Sequence, residues 1–442
     1  MPWNQDGVGT IACGQPGVKG AYSREPPMTN PIKKIQVDAP TLQHYIDHLA
    51  SIGWQPEGGI VRPVYSPAWL KARQQLAEWM RAAGLHVYED AVGNLFGRLR
   101  GLDDTRTILT GSHLDTVKLG GKFDGALGIL AGLVALQALH KHLGPPQRSL
   151  EVVALCEEEN SRFHARYWGT RAILGLIEES QLEALRDEQD ISIASAMRAA
   201  GLPPDQYRAA IRTDLDAFLE LHIEQGRILF DEHIDIGIVQ AITGLQHLLI
   251  TVKGRADHAG TTPMDLRRDA LQGAALMAVE ITRLVQQEGR PAVVTLGQWD
   301  VRPGAVNVVP AEVRFSIDLR HPDAETLQRL SVAIQARCQA IAQERDLLLS
   351  SEIIGQSAPQ QMDPALQALL IRAAGACGAT WKAMPSGAGH DSQTMARHLP
   401  TAMLFVPSIE GRSHSAAEET PLADAARGAT VLATALSLLA YP

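Results

Sequence analysis

Cysteine is scarce. The four in the chain, Cys13, Cys156, Cys338 and Cys377, are widely spaced and form no CxxC pair, which argues against a disulfide framework and against a zinc ribbon and makes a reducing cytoplasm the simplest setting. A basic block is also missing. Lys and Arg number 40 against 49 Asp and Glu, for a net charge of −9 spread along the chain, so the electrostatic footprint of a nucleic-acid or anionic-membrane partner is not there. No unbroken apolar run approaches the roughly eighteen residues a membrane-spanning helix needs. No internal repeat stands out. These absences leave a soluble, cytoplasmic protein whose partner is a small molecule, with no nucleic acid and no membrane.

The rest of the composition is globular, at 45% hydrophobic and 20% charged, and 442 residues exceed one ordinary core, so two domains are expected. Residues 1–27 are rich in Gly and Pro and lack a secretory-type apolar segment, which reads as a disordered leader with the start at Met1 or Met28. The glycines of GVGTIACG have no strand before them and are weak evidence for a phosphate loop.

Ser66-Pro67 supplies an N-cap and a first-turn proline, Trp69, Ala72, Leu76, Met80 and Ala83 fall on one stripe, and Gly84 follows, so a helix is predicted there. Strands are predicted at Thr107–Thr110, Leu150–Cys156 and Phe218–Leu221, with a helix at about Leu127–Leu143. That alternation implies an α/β domain whose sheet is covered on both faces. From Thr243 the order becomes strand, helix, two strands, helix, strand, the last near Leu347–Ile354. A βαββαβ unit of the ferredoxin-like type is thus expected at 243–358, inserted between two parts of a catalytic domain at 28–242 and 359–442. A helix at Pro364–Cys377, a strand at Thr401–Val406 and a helix from Leu422 to Leu439 complete the second part.

Ligand-type residues gather where the strands of the first domain end: Gly111-Ser112-His113-Leu114-Asp115, Glu157-Glu158-Glu159, His222-Ile223-Glu224, and Ser413-His414-Ser415 after the strand at Thr401–Val406. Strand ends are where open α/β sheets build sites. Two close divalent cations require N and O ligands, one bridging carboxylate and an open position for water. His113, Asp124, Glu159, His222 and His414 match that inventory, Glu158 is left over as a general base, and Asp115 is placed to hold the second nitrogen of His113. Taken singly, an HxD at a strand end is more often a hydrogen-bonded turn, and an acidic triplet a solvated helix start. His140, His142, Asp269 and Glu280 read as ordinary surface groups.

Together, GSHLDTVKLGGKFDGALGILAG, EEENSRF, LHIEQG, GRADHAGTTPM, NVVP, DLR, SGAGHD and SHS resemble the M20 metallopeptidase-like hydantoinase/carbamoylase family, over nearly everything from Leu49 onward. The resemblance implies a metal-dependent exopeptidase-like catalytic domain with an inserted dimerisation and lid domain. It implies that His113, Asp124, Glu159, His222 and His414 hold two Mn2+ or Zn2+ ions per subunit, with Asp124 bridging and joined to Gly125 by a cis peptide. It also implies that Glu158 activates water, that His258 is lent across a homodimer interface to stabilise the oxyanion, and that Arg320 with Asn307 holds a substrate carboxylate. Arg320 lies on the strand face opposite Val313, Phe315, Ile317 and Leu319, free to meet a ligand or a surface carboxylate. Locally, His258 could equally cap a helix before Thr261-Thr262-Pro263. Gln225 is a further expected substrate contact, and the Gly387–Asp391 loop an expected pocket wall.

Two substrates of this family fit those groups: N-carbamoyl-L-amino acids, and allantoate with its two ureido arms and one carboxylate. PEGGIVRPVYSPAWL, VGNLFGRLRG and SRFHARYWGT resemble the allantoate-cleaving pattern more than the carbamoylase pattern. Departures from the family fall at Glu159-Asn160-Ser161 and Gly244-Leu245-Gln246. Other readings are an aminoacylase or dipeptidase of the wider group, or a non-catalytic binding relative, for which an intact Glu158 would have no use.

Overall fold

The computed structural model describes residues 32–441, so the expected leader and Cys13 lie outside the described residues. Short polar side chains open several of its helices. Ser66 accepts a hydrogen bond from the Trp69 amide at the head of the helix Pro67–Ala82, whose buried stripe includes Trp69, Ala72, Leu76 and Met80. Asp269, Asp323 and Asp363 cap the helices Ala270–Glu288, Ala324–Glu344 and Pro364–Ala376 in the same way, each satisfying amides the first turn leaves unpaired.

Thirteen strands follow in chain order: β1 His86–Glu89, β2 Leu95–Leu99, β3 Asp103–His113, β4 Arg148–Leu155, β5 Leu215–Ile223, β6 Ile236–Ile242, β7 Gly244–Lys253, β8 Val293–Arg302, β9 Glu312–His321, β10 Leu348–Ser357, β11 Gln360–Gln361, β12 Trp381–Ser386 and β13 Thr401–Val406. Nine of them make one sheet in the order β1-β2-β4-β3-β5-β13-β6-β11, with β12 alongside β6. Its centre, β4-β3-β5-β13, is parallel. Successive residues of the central strands face opposite ways: Ile108, Val152 and Leu219 enter the core shared with the helices Ala126–Leu143 and Leu422–Ala440, whereas Leu109, Val153 and Phe218 enter a second cluster with Ile173 and Met395. Both faces are therefore covered, as a parallel sheet requires.

The other four strands form an all-antiparallel sheet, β10-β7-β9-β8. Leu248, Ile250 and Val252 of β7 and Val313, Phe315, Ile317 and Leu319 of β9 pack against Ala274, Met277 and Ile281 of one helix and Leu330, Ile334 and Ile341 of the other, a core of their own.

The helices Ala126–Leu143 and Leu422–Ala440 are long and apolar enough to cross a membrane by length and composition, although neither is an unbroken apolar run. Gly128, Gly132, Gln137, His140, Lys141 and His142 interrupt the first and Asp424, Arg427, Gly428, Thr430, Thr434 and Ser437 the second, which hides them from a count of consecutive residues. They pack on each other, with 72% and 67% of their apolar windows buried in the protein.

Candidate metal centre

The carboxyl ends of the parallel strands bring the expected ligands together. His113 closes β3, His222 lies one residue from the end of β5, the Glu157–Glu159 turn follows β4, and His414 sits in the loop beyond β13. Asp124 lies at their centre, just ahead of the helix Ala126–Leu143. The Nε2 atoms of His113 and His222 stand 3.4 and 3.2 Å from its Oδ1, and Nε2 of His414 stands 3.3 Å from its Oδ2. Glu159 faces His414 at 3.6 Å. His113, Asp124 and His222 thus form one group able to hold a metal ion and Asp124, Glu159 and His414 another, with Asp124 common to both.

The donor set fits divalent cations. Nδ1 of His113 and of His222 donates to a main-chain carbonyl, Asp115 O at 2.9 Å and Ile223 O at 3.0 Å, which leaves each Nε2 as an acceptor beside Asp124, that of His222 also meeting the Gly125 amide at 3.2 Å. Nitrogen and oxygen donors without thiolate are the kind such cations take. The surroundings are rich in carboxyl groups, and among the described residues their ion pairs run to histidines, with no Arg or Lys ion-paired to Asp115, Asp124, Glu157, Glu158 or Glu159. Burial pushes the Glu158 carboxyl well above its usual range, His113 acting the other way and Glu159 and Asp391 adding to the rise, while burial and then Asp124 push Glu159 up to about 7. Asp124 lies well below its usual range because the three imidazoles outweigh its burial.

Several details differ from the expectation. Asp115 does hold His113, but through its carbonyl. Its carboxylate accepts the amides of Glu158 and Glu159 at 3.3 and 3.1 Å and so shapes the acidic turn. The Asp124–Gly125 peptide is trans, the cis bonds of the described residues being Arg290–Pro291 and Arg302–Pro303. Gly125 makes the turn with φ 66° instead, and a side chain there would collide with His113.

A cavity of about 430 Å³ opens onto these ligands and is lined by Glu158, Asn160, Arg166, Gln225, His247, Arg320, the Gly387–His390 loop and Gln393. That is room for a small molecule. Gln225 donates to Asp124 Oδ2 at 2.8 Å and to Ser413 at 3.3 Å. Arg320 reaches the wall from β9, where Asp318 takes its Nε and Nη2 and the Gly387 carbonyl its Nη1, all at 2.8 Å. His258 and Asn307 are not brought into this cavity. They lie beside one another on the four-stranded unit, exposed, where Ala259 donates to the Asn307 carbonyl and His258 pairs with Val308.

The sequence reading missed Glu418, which accepts the amides of Phe123 and Asp124 at 2.8 and 3.0 Å across a separation of 295 residues or nearly so and holds the loop that carries the shared carboxylate. It also missed Arg166 and Gln393. One signal shared by the site is backbone conformation: Glu157, Asn160, Tyr167, Gln225 and His414 all have φ between 52° and 60°, a region non-glycine residues seldom occupy and one that gathers at functional sites.

The model of Peptidase family M20/M25/M40 matches residues 109–438. The chain is 39% identical to an allantoate amidohydrolase of Escherichia coli over 90% of its length and 98% of that protein's. It is 42% identical to an N-carbamoyl-L-amino acid amidohydrolase of Geobacillus stearothermophilus over 87% of its length and 94% of that protein's. Its structure is similar to that of a hydantoinase/carbamoylase family amidase from Burkholderia ambifaria, with a TM-score of 0.88, 35% identity, and coverage of 92% and 99% of the two chains. Members of this family use divalent metals, and with a mixed α/β fold and a ligand set built at its strand ends, the chain belongs to Peptidase family M20/M25/M40 as a relative of the hydantoinase/carbamoylase amidohydrolases.

Proposed function

We propose that this chain is an allantoate amidohydrolase that cleaves a ureido C–N bond with two Mn2+ or Zn2+ ions bound by His113, Asp124, Glu159, His222 and His414. The observation that carries this reading is the convergence of three imidazole Nε2 atoms on the two oxygens of Asp124, with Glu158 lining the same cavity. Divalent cations held there supply positive charge that polarises a carbonyl and acidifies water. Glu158 takes the proton of the attacking water and returns it to the departing nitrogen. Water and allantoate become ureidoglycine and carbamate, and the carbamate falls apart to ammonia and carbon dioxide. Arg320 holds the substrate carboxylate from the cavity wall, and Gln225 steadies Asp124 beside it.

The four-stranded unit at 243–358 serves as lid and dimerisation domain in this proposal, the rest of 28–442 being catalytic. His258 and Asn307, outside the cavity of their own chain, complete the site of a second copy in a cytoplasmic homodimer. Mixing His258→Ala and Glu158→Gln proteins tests that arrangement, since hybrid dimers with one intact site should regain activity. No recovery counts against sharing.

The function itself is tested by ammonia release from allantoate and from N-carbamoyl-L-amino acids by the manganese- or zinc-loaded protein. Allantoate should be the better substrate. A preference for N-carbamoyl-L-amino acids would support the second reading, which the 42%-identical relative favours.

A further inference from the structure

The cavity holds two arginines in different states. Arg320 is engaged by Asp318 and by the Gly387 carbonyl. Arg166, on another part of the wall, has its guanidinium 5.1 Å over the Tyr167 ring and makes neither an ion pair nor a side-chain hydrogen bond with any described residue. Its backbone is nevertheless held in place, the Asn160 side chain accepting the Arg166 amide at 3.0 Å. Gln393 stands nearby with its Oε1 taken by the Tyr167 hydroxyl at 3.0 Å, which leaves the amide NH2 as its remaining group.

These groups converge on Gly389. A Cβ at that position would overlap the Tyr167 hydroxyl and lie 3.0 Å from Arg166 Nη2 and 3.2 Å from Gln393 Oε1. The absent side chain is what lets three polar groups close on one wall, and Asn160 and Tyr167 hold left-handed φ of 58° and 60° to bring them there.

We propose that Arg166 and Gln393 form a second polar subsite that grips the carbonyl oxygen of the substrate arm that is not cleaved. This deepens the ureido-hydrolase reading and rests on it. Both free groups are donors, so the partner must be an acceptor, such as the carbonyl of a second ureido group or of a carboxamide. An alkyl arm offers nothing to them, and a site built to hydrogen-bond its substrate discriminates strongly against analogues lacking the partner atom. The subsite thereby selects a doubly ureido-substituted acid over an aliphatic N-carbamoyl amino acid.

The test compares kcat/KM for allantoate with that for N-carbamoyl-L-alanine in the wild type, Arg166→Ala, Arg166→Lys and Gln393→Glu. The last variant keeps an acceptor for Tyr167 and turns the donor facing the cavity into an acceptor. The ratio should fall about tenfold or more in Arg166→Ala and in Gln393→Glu, through KM, with partial retention in Arg166→Lys. Binding of allantoate to Glu158→Gln protein should weaken by a similar factor when Arg166→Ala is added. A ratio within twofold of wild type in both variants overturns the subsite. Failure of the functional reading looks different: wild-type protein would leave allantoate intact. The same variants would then be compared on N-carbamoyl-L-asparagine against N-carbamoyl-L-alanine, with the same thresholds deciding. Cleavage of none of the three substrates rejects both proposals.

Discussion

Strand β4 carries buried acid at its middle and just past its end, and the two places are treated differently. At its middle Glu151, fully buried, accepts from Arg98 at 2.8 Å, Arg212 at 3.0 Å and the Tyr88 hydroxyl at 2.7 Å. Just past its end Glu157, Glu158 and Glu159 crowd against Asp115 and Asp124 with no ion-paired Arg or Lys among the described residues. The buried guanidinium of Arg62 donates to the carbonyls of Leu49, Ile52 and Leu114 rather than to any of these carboxylates. A buried carboxylate is costly unless it is paired and hydrogen-bonded. Where the chain supplies the cations itself, the cluster is structural. Where it supplies imidazole lone pairs and further carboxylates instead, the cluster is shaped for cations from outside.

Removing divalent cations with a chelator should have the largest effect on that contrast. Ureido hydrolysis should vanish and return on adding Mn2+ or Zn2+, and full activity in protein shown to be metal-free would break the comparison. Next comes Glu158→Gln, expected to lower turnover by at least about 10² to 10⁴ with metal content near normal. Near-wild-type turnover would remove its role as base. In the middle of β4, Glu151→Ala strands two arginines that still keep Asp104 and Asp214, so a loss of about 3 kcal/mol in urea unfolding is expected, at the low end for a broken buried pair, with metal content unchanged. A metal deficit in that variant would show that the two clusters are coupled. Ser66→Ala, in neither cluster, should cost only about 1 kcal/mol through the lost cap. A larger loss would mean that this helix braces the site.

Much of this was legible in the chain because it is local. The stripe and cap of Pro67–Ala82, the alternation that gives β9 one buried face, and the clustering of His113, Glu158, Glu159 and His222 at strand ends all follow from neighbours within a few residues. Other features resisted. Glu418 acts on Asp124 from across nearly the whole catalytic fold, and no spacing rule connects them. Arg166 reads as one more surface arginine until Gly389 and Gln393 stand beside it. The role of Asp115 was half legible, since a two-residue separation puts it near His113 without saying whether carbonyl or carboxylate makes the contact. His258 and Asn307 lie apart from the cavity of their own chain, and no reading of a single strand or turn could have placed them.

From its sequence alone this protein determined where helices start, which strand faces are apolar and which donor atoms it can offer a metal, because each depends on residues a few positions apart. Only the tertiary structure decided that Asp124 sits between two groups of ligands and that one cavity arginine is paired with a carboxylate while the other, over the Tyr167 ring, meets none among the described residues. Crossover connections bring together strand ends far apart in the chain, and the direction of each side chain is then set by whichever carbonyl, carboxylate or glycine it meets there.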